Sequence, residues 1–593
     1  MTMRLALLLA PPRLVARGEG VGFRWFALAL VIALGGSTLV AADQSKKELR
    51  AKLADLQKRF EDERQKTVME RDATFRELAE LRVDAAHQLL LQALANPKED
   101  YVAKEQILRH LGENATVLAA ATVLTQGFDQ VGDRSYHVIA TAFRGMKDQE
   151  AVDWLFEKGW KNLPALGAKA QAAFMQVFTS YRDARAVEAA QKLLGNRKLK
   201  TATQRDLVGI LTDAKDATSA KKVRKLYKWG DPDLMVAVLR YAQRLQLTDF
   251  SDLITGGLED DYWQVRATAC DIIGASLDAS LLDRLLPRIE DKIVAVQVAA
   301  IGAARAIGGE AVIEPFYKAL DKTEGRAKDD LIDALIFLTG RDLGTESVSW
   351  ETWWKANRGK VAIGGISREE YERLISEGAT GASGKYYGLR ILSKNVTFVI
   401  DVSGSMEEPH KVKDKGGDRK GGDDGDSGHT GVNPEGDEKG EKKTKWIQKP
   451  KIELAKRELR GVLSTLAKGV HFNIIQFSGM PRAWKTELIG MDEEVLESAL
   501  GYVDSLAPGG TTNVYDSLVL AMNDPKVDTV YFLSDGAPTA GTYQDHATIL
   551  QKVTEGNSLR KVKIHTIGFK LDPQAKELMR KLAEQNQGTF VDI

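Results

Sequence analysis

The stretch Val396-Thr397-Phe398-Val399-Ile400-Asp401-Val402-Ser403-Gly404-Ser405-Met406 decides how this chain folds. Val396 to Ile400 are apolar or β-branched with no helical period, which predicts a strand buried on both faces. That strand runs straight into a carboxylate and two hydroxyls, Asp401, Ser403 and Ser405. Hard divalent cations such as Mg²⁺ take oxygen donors in octahedral geometry and rarely find all of them on one loop. Two later stretches can supply the rest: Gly509-Gly510-Thr511-Thr512-Asn513-Val514-Tyr515-Asp516, and an apolar run over residues 529–533 followed by Ser534-Asp535-Gly536. Each lies where a strand or a Gly-rich turn passes into a helix, and in an open parallel sheet ligands bind outside the carboxyl ends of the strands.

Downstream the pattern alternates. Residues 470–477, 527–533, 563–567 and 589–593 read as strands, 483–489 as an edge strand, and 452–466, 493–505, 514–522, 543–553 and 574–585 as helices. Strands alternating with helices predict an α/β doubly wound parallel sheet with one antiparallel edge.

The ordered set Asp401, Ser403, Ser405, Thr512 and Asp535 resembles the metal-ion-dependent adhesion site of the von Willebrand factor A domain. That family's pattern is Asp-x-Ser-x-Ser, then a Thr in a later loop, then an Asp after a further strand. Thr512 is chosen over Thr511 because the family's Thr is commonly followed by Asn, here Asn513. The resemblance covers residues 385–593 and implies a Rossmann-like domain. It also implies that Ser403 and Ser405 bind the metal directly, Thr512 directly or through water, and Asp401 and Asp535 largely through water. The metal implied is Mg²⁺, or another divalent cation such as Mn²⁺ or Ca²⁺, and an acidic side chain of a protein partner completes its coordination.

In the family the first helix follows the Asp-x-Ser-x-Ser loop closely. Here residues 407–445, rich in Gly, Asp, Glu and Lys, intervene, and such a segment cannot bury enough apolar surface to fold. It is expected to be disordered and to carry carboxylates such as Glu407, Glu408, Asp423, Asp424 and Asp426 at high effective concentration beside the site. Either one of them competes for the metal's open position, or the loop is solvated and inert.

Upstream, residues 361–384 form a Gly-marked linker around a short helix at 368–375, and residues 95–360 read as consecutive amphipathic helices with short connections. Asp231, Asp260 and Asp291 recur at near-constant spacing, each five residues before a Val (Val236, Val265, Val296), as if capping the helix that follows. This segment resembles HEAT repeats, which stack helical pairs into a solenoid and carry no chemistry of their own. Earlier repeats at 115–128, 135–145 and 165–194 are read from periodicity alone. Trp350 and Trp354 share a helical face and are expected to seal the last repeat. The fold class is thus an all-α solenoid followed by an α/β domain.

Residues 45–94 are charged and free of Gly, with Leu49, Leu53, Leu56 and Phe60 on an a/d seam. They predict one long helix that either leads singly into the repeats or pairs two copies as a coiled coil. Residues 1–42 read as an export segment: arginines, an apolar run, then Val40-Ala41-Ala42 as a cleavage site. The alternative is an uncleaved N-terminal membrane anchor. Both place the body of the protein outside the cytoplasm, in the cell envelope or beyond.

Lys plus Arg equals Asp plus Glu at 83 each, so no global basic excess argues for nucleic acid. The single Cys270 excludes intrachain disulfides and sits in a helical apolar pattern. An enzyme is disfavoured on chemistry: the aspartyl-phosphate motif Asp-x-Asp has Ser403 at its second acid, neither serine has a Gly-x-Ser-x-Gly frame, and His565 lies inside a strand. The expectation is an exported, non-enzymatic binding protein. The alternatives are a scaffold whose metal only stabilises the fold, or a metal-dependent hydrolase.

Overall fold

The computed structural model describes residues 39–62, 66–128, 136–361, 363–377, 385–413 and 446–593. Apart from residues 39–42, the export segment lies outside these, as do residues 414–445 of the insertion. Among the described residues no helix is long and apolar enough to cross a membrane.

Strands β1 (Lys385–Tyr386) and β2 (Leu389–Arg390) form a small hairpin that leads into β3 (Asn395–Asp401), the stretch quoted first. A second hairpin pairs β4 (Pro409–Lys413) with β5 (Trp446–Pro450). The main sheet adds β6 (His471–Phe477), β7 (Pro481–Ala483), β8 (Ile489–Gly490), β9 (Thr529–Ser534), β10 (Lys563–Gly568) and β11 (Phe590–Asp592). Its order is β11-β10-β9-β3-β6-β7, parallel except where β7 and β8 pair antiparallel with β6. The expected doubly wound sheet with one antiparallel edge is present. The edge strand expected at 483–489 is instead two short pieces either side of those residues.

β3 is central and its side chains feed two cores by alternation. Phe398 and Ile400 join Ile474, Tyr531 and Leu533 under the Lys451–Leu463 and Glu493–Ser505 helices. Val399 joins Ile475, Phe532 and Ile564 under the Val514–Ala521, His546–Asn557 and Pro573–Gln585 helices. With every residue from Val396 to Asp401 buried, the strand has no face left for solvent.

The helical region corrects two expectations. Residues 45–94 are not one helix but three: Leu39–Asp62, Val68–Glu80 and Asp84–Ala95. The second starts where the Glu70 carboxylate reaches back 2.9 Å to the Thr67 N–H, a capping interaction that ends any continuous coil. Leu56 and Phe60 are buried, with Phe60 edge-on to Phe75, so half of the a/d seam packs inside the chain, while Leu49 at its start stays exposed. Of the three repeat aspartates only Asp231 caps its helix, accepting from the Leu234 N–H. Asp260 and Asp291 instead accept from the N–H two residues on, at Tyr262 and Ile293, and so shape the turn before the helix. Asp291 also takes a two-pronged bond from the buried Arg266, which clamps successive repeats together. Trp350 and Trp354 are buried as expected, and the Trp350 indole donates to the Gly344 carbonyl at 2.9 Å.

The linker expected at 361–384 is described over residues 361 and 363–377. Its helix runs Arg368–Glu377, and the Ile366 N–H donates to the Phe337 carbonyl of the last repeats. The repeats then dock on the amino ends of the sheet strands. Arg326, almost wholly buried on the Gly325–Thr339 helix, donates to the Asp528 and Lys561 carbonyls at 2.9 Å each and to Gln587 at 2.6 Å. Lys563, the first residue of β10, lies 2.6, 3.0 and 2.7 Å from Asp329, Asp330 and Asp333. Arg390 adds bridges to Asp333 and Asp342. Burial alone would discharge Lys563, but the three aspartates outweigh it and hold its pKa well above the ordinary value. Asp333 resists the same burial through Lys563 and Arg390 and is held down to about 2.

The candidate metal centre

The opposite, carboxyl ends of β3 and β9 carry the residues singled out from sequence. Asp401 closes β3 and is fully buried. Its Oδ1 accepts the Ser403 N–H at 2.8 Å and its Oδ2 accepts the Ser534 hydroxyl at 2.6 Å. Burial pushes its carboxyl up to about 6; the Ser534 and Ser403 hydrogen bonds pull against that, and the like charge of Asp535 adds to it. A buried carboxylate held in this way gains most from a nearby cation.

Ser403 Oγ lies 3.1 Å from Ser405 Oγ, and the Ser405 hydroxyl donates to Asp535 Oδ1 at 2.7 Å. Two residues from one loop and one from another therefore form a continuous row of oxygens. Thr512 arrives on a third loop, which is stitched to the first through backbone: Gly404 N–H to the Gly510 carbonyl at 3.1 Å, and Gly509 N–H to the Val402 carbonyl at 2.7 Å. Thr512 is itself buried, with its N–H on Thr539 Oγ1. Asn513 then caps the Val514–Ala521 helix. A side chain at Gly541, where φ is +102°, would collide with the Asn513 amide, so that glycine keeps the Thr512 loop in register.

The structure thus joins Ser403, Ser405 and Asp535 by direct side-chain bonds, sets Asp401 behind them, and brings the Thr512 loop alongside. The donors are all oxygen, the set that Mg²⁺, Mn²⁺ or Ca²⁺ takes, with no thiolate or imidazole among them.

Two residues not singled out as ligands complete the site. Lys451, with a side chain 3% exposed, places Nζ 2.8 Å from Asp535 Oδ2, 2.9 Å from Glu408 Oε2 and 3.5 Å from the Ser405 carbonyl. Burial works against its charge, but Asp535 and Glu408 outweigh that and raise its pKa. Ser534 is the other, as the hydroxyl that fixes Asp401. A sequence signal for Lys451 existed: a lysine in the first turn of a helix opposes the helix dipole and needs a compensating anion. Of the insertion's described carboxylates, Glu408 is engaged here and Glu407 is exposed. Asp423, Asp424 and Asp426 lie outside the described residues. Residues 409–413, expected to be disordered, instead form β4 at the site's rim.

A second group of carboxylates, Asp329, Asp330 and Asp333, is close enough to share an ion. Lys563 already fills that role, so this group is part of the docking interface. His565 is buried mid-strand on β10, its Nδ1 accepting the Thr589 N–H and its ring stacked on Tyr531 at 4.9 Å. Burial and the neighbouring Lys563 hold it neutral. Cys270 is buried, which pushes its thiol up and leaves it unreactive.

Residues 447–592 match the family model of the von Willebrand factor type A domain, and residues 250–336 match that of HEAT repeats. The first match begins after the insertion, so β3 and its Asp401, Ser403 and Ser405 lie ahead of it. Human von Willebrand factor A domain-containing protein 3B is 26% identical over 149 residues, 25% of this chain and 11% of that protein. Mouse inter alpha-trypsin inhibitor, heavy chain 4, is 26% identical over 212 residues, 34% of this chain and 18% of that protein. Among solved structures, a von Willebrand factor type A protein from Catenulispora acidiphila aligns at 20% identity over 34% of this chain and 39% of that one, with a TM-score of 0.24. The chain therefore joins HEAT repeats to a von Willebrand factor type A domain.

Proposed function

We propose that this chain is an exported, non-enzymatic binding protein whose site at the carboxyl ends of β3 and β9 holds Mg²⁺, or Mn²⁺ or Ca²⁺ in its place, and captures an acidic side chain of a protein partner. The observation that carries this reading is the row Ser403, Ser405 and Asp535, drawn from two loops, with buried Asp401 behind it and the Thr512 loop alongside. Bound there, a divalent cation supplies an open position for a carboxylate oxygen. The chain's own residues do the rest: Ser534 and the Ser403 N–H orient Asp401, and the Gly509–Gly510 turn holds Thr512 against the first loop. Relatives in the inter alpha-trypsin inhibitor heavy chain group support a binding role rather than catalysis. The chemistry agrees, since Ser403 stands where a phosphatase needs its second acid and His565 is buried mid-sheet.

Full-length protein immobilised in Mg²⁺ is expected to retain a partner from an envelope fraction, to release it in EDTA, and to lose it on Ser403→Ala. Capture that ignores both EDTA and the substitution contradicts the proposal. A second reading, a scaffold whose metal only stabilises the domain, draws on the buried charge network that fixes the repeats to the sheet. It predicts that Ser403→Ala lowers the melting temperature yet leaves every interaction intact. Sequencing the mature N-terminus tests export: a start at or near Asp43 is expected, and an N-terminus at Met1 in a cytoplasmic fraction contradicts it.

A further inference from the structure

Lys451 is an unusual neighbour for a metal site. Its ammonium has three N–H donors, and three oxygens surround it: Asp535 Oδ2, Glu408 Oε2 and the Ser405 carbonyl. Two of these belong to candidate metal ligands and the third stands at the base of the β4–β5 hairpin. The side chain is 3% exposed, so water does little to screen its charge. Its position in the first turn of the Lys451–Leu463 helix is one where a cation is disfavoured, and the surrounding anions are what hold it there. We propose that Lys451 is a resident cation of this site: it competes with the divalent ion for Asp535 and, with Glu408 as its counter-ion, imitates within one chain the pairing of a metal with a partner's carboxylate. This inference rests on the metal-binding reading above.

The consequence is a raised metal threshold. Asp401 and Asp535 contribute two negative charges and Lys451 returns one, so a divalent ion enters a site already half neutralised. Once it is in place the site has one positive charge over, which Glu408 or an external carboxylate balances. Lys451 thus weakens metal binding on its own and ties it to the presence of an anion.

The test is calorimetric titration of EDTA-stripped full-length protein with Mn²⁺, comparing the parent with Lys451→Met and Lys451→Arg. Methionine keeps the length and the packing without the charge; arginine keeps the charge. Lys451→Met is expected to bind Mn²⁺ at least about ten-fold tighter than the parent, and Lys451→Arg to stay within about three-fold of it. Equal or weaker binding by Lys451→Met overturns the inference while leaving the metal site intact. If neither parent nor Lys451→Met binds Mn²⁺, the metal reading itself fails and this inference falls with it. Should Lys451→Met fold less well, the rise in melting temperature on adding saturating Mn²⁺ gives the same answer. A larger rise in the variant than in the parent supports the inference, and an equal or smaller rise overturns it.

Discussion

The two ends of the sheet are built from similar groups to opposite effect. At the amino ends four aspartates, Asp329, Asp330, Asp333 and Asp342, meet three cations, Lys563, Arg326 and Arg390, and every one of the seven is ion-paired within the cluster. At the carboxyl ends Asp535 and Glu408 share Lys451 while Asp401 is held by the Ser403 N–H and the Ser534 hydroxyl, which among the described residues leaves two negative charges over, the charge of one divalent ion. Both clusters pair acids with a lysine, and what separates them is that the first satisfies all of its acids with cations and the second does not. A closed balance fixes one domain on another; an open one calls for a ligand. The six residues of β9 separate the two ends by about 20 Å, so the solenoid grips the domain without covering the metal face.

Breaking the closed end should have the largest effect. Lys563→Met leaves buried Asp329 without its cation and takes one of two from Asp330 and Asp333, and a loss of about 3–5 kcal/mol in chemical denaturation is expected. A loss below about 1 kcal/mol would mean that the interface does not depend on this charge. At the open end, Mg²⁺ at about 100 times its Kd should stabilise the parent by about 2.7 kcal/mol over EDTA, with Ser403→Ala erasing most of that gain. Equal gains in parent and variant would remove Ser403 from the site.

A smaller effect comes from His565, held neutral beside the closed end. Its folded pKa is depressed, so the unfolded chain binds the proton first. Stability is therefore retained above the ordinary histidine value of 6.5 and lost as pH falls below it, by up to about 1.4 kcal/mol per pH unit. His565→Gln should flatten that slope in denaturation curves measured between pH 7 and 5; an unchanged slope assigns it to other groups. Least affected is the solenoid away from both ends. Asp231→Ala removes one helix cap and is expected to cost about 1 kcal/mol by thermal melting, with metal affinity unchanged.

The open end was far more legible in the sequence than the closed one. Asp401, Ser403, Ser405, Thr512 and Asp535 lie at strand ends, where an apolar run stops abruptly at an oxygen, and that transition is visible in a single stretch. The interface leaves no such mark. Asp329, Asp330 and Asp333 read as the solvated face of a helix, and their partner Lys563 is 230 residues further on, at a strand start where a charge is unremarkable. Only folding brings them together. The break into three N-terminal helices is obscured for a local reason: the Thr67-Val68-Met69-Glu70 start signature lies inside a charged run that follows a heptad-spaced one. Lys451 was hidden by its setting, between an insertion read as 407–445 and a helix read as starting at residue 452, although a lysine opening a helix was a legible anomaly.

The claim on which the rest depends is that the carboxyl-end oxygens bind one divalent ion, and calorimetric titration of stripped full-length protein with Mn²⁺ tests it most directly. One ion per chain is expected for the parent, with binding lost on Ser403→Ala and retained on Lys563→Met once that variant is shown to be folded. Absence of binding by the parent, or undiminished binding by Ser403→Ala, would contradict it.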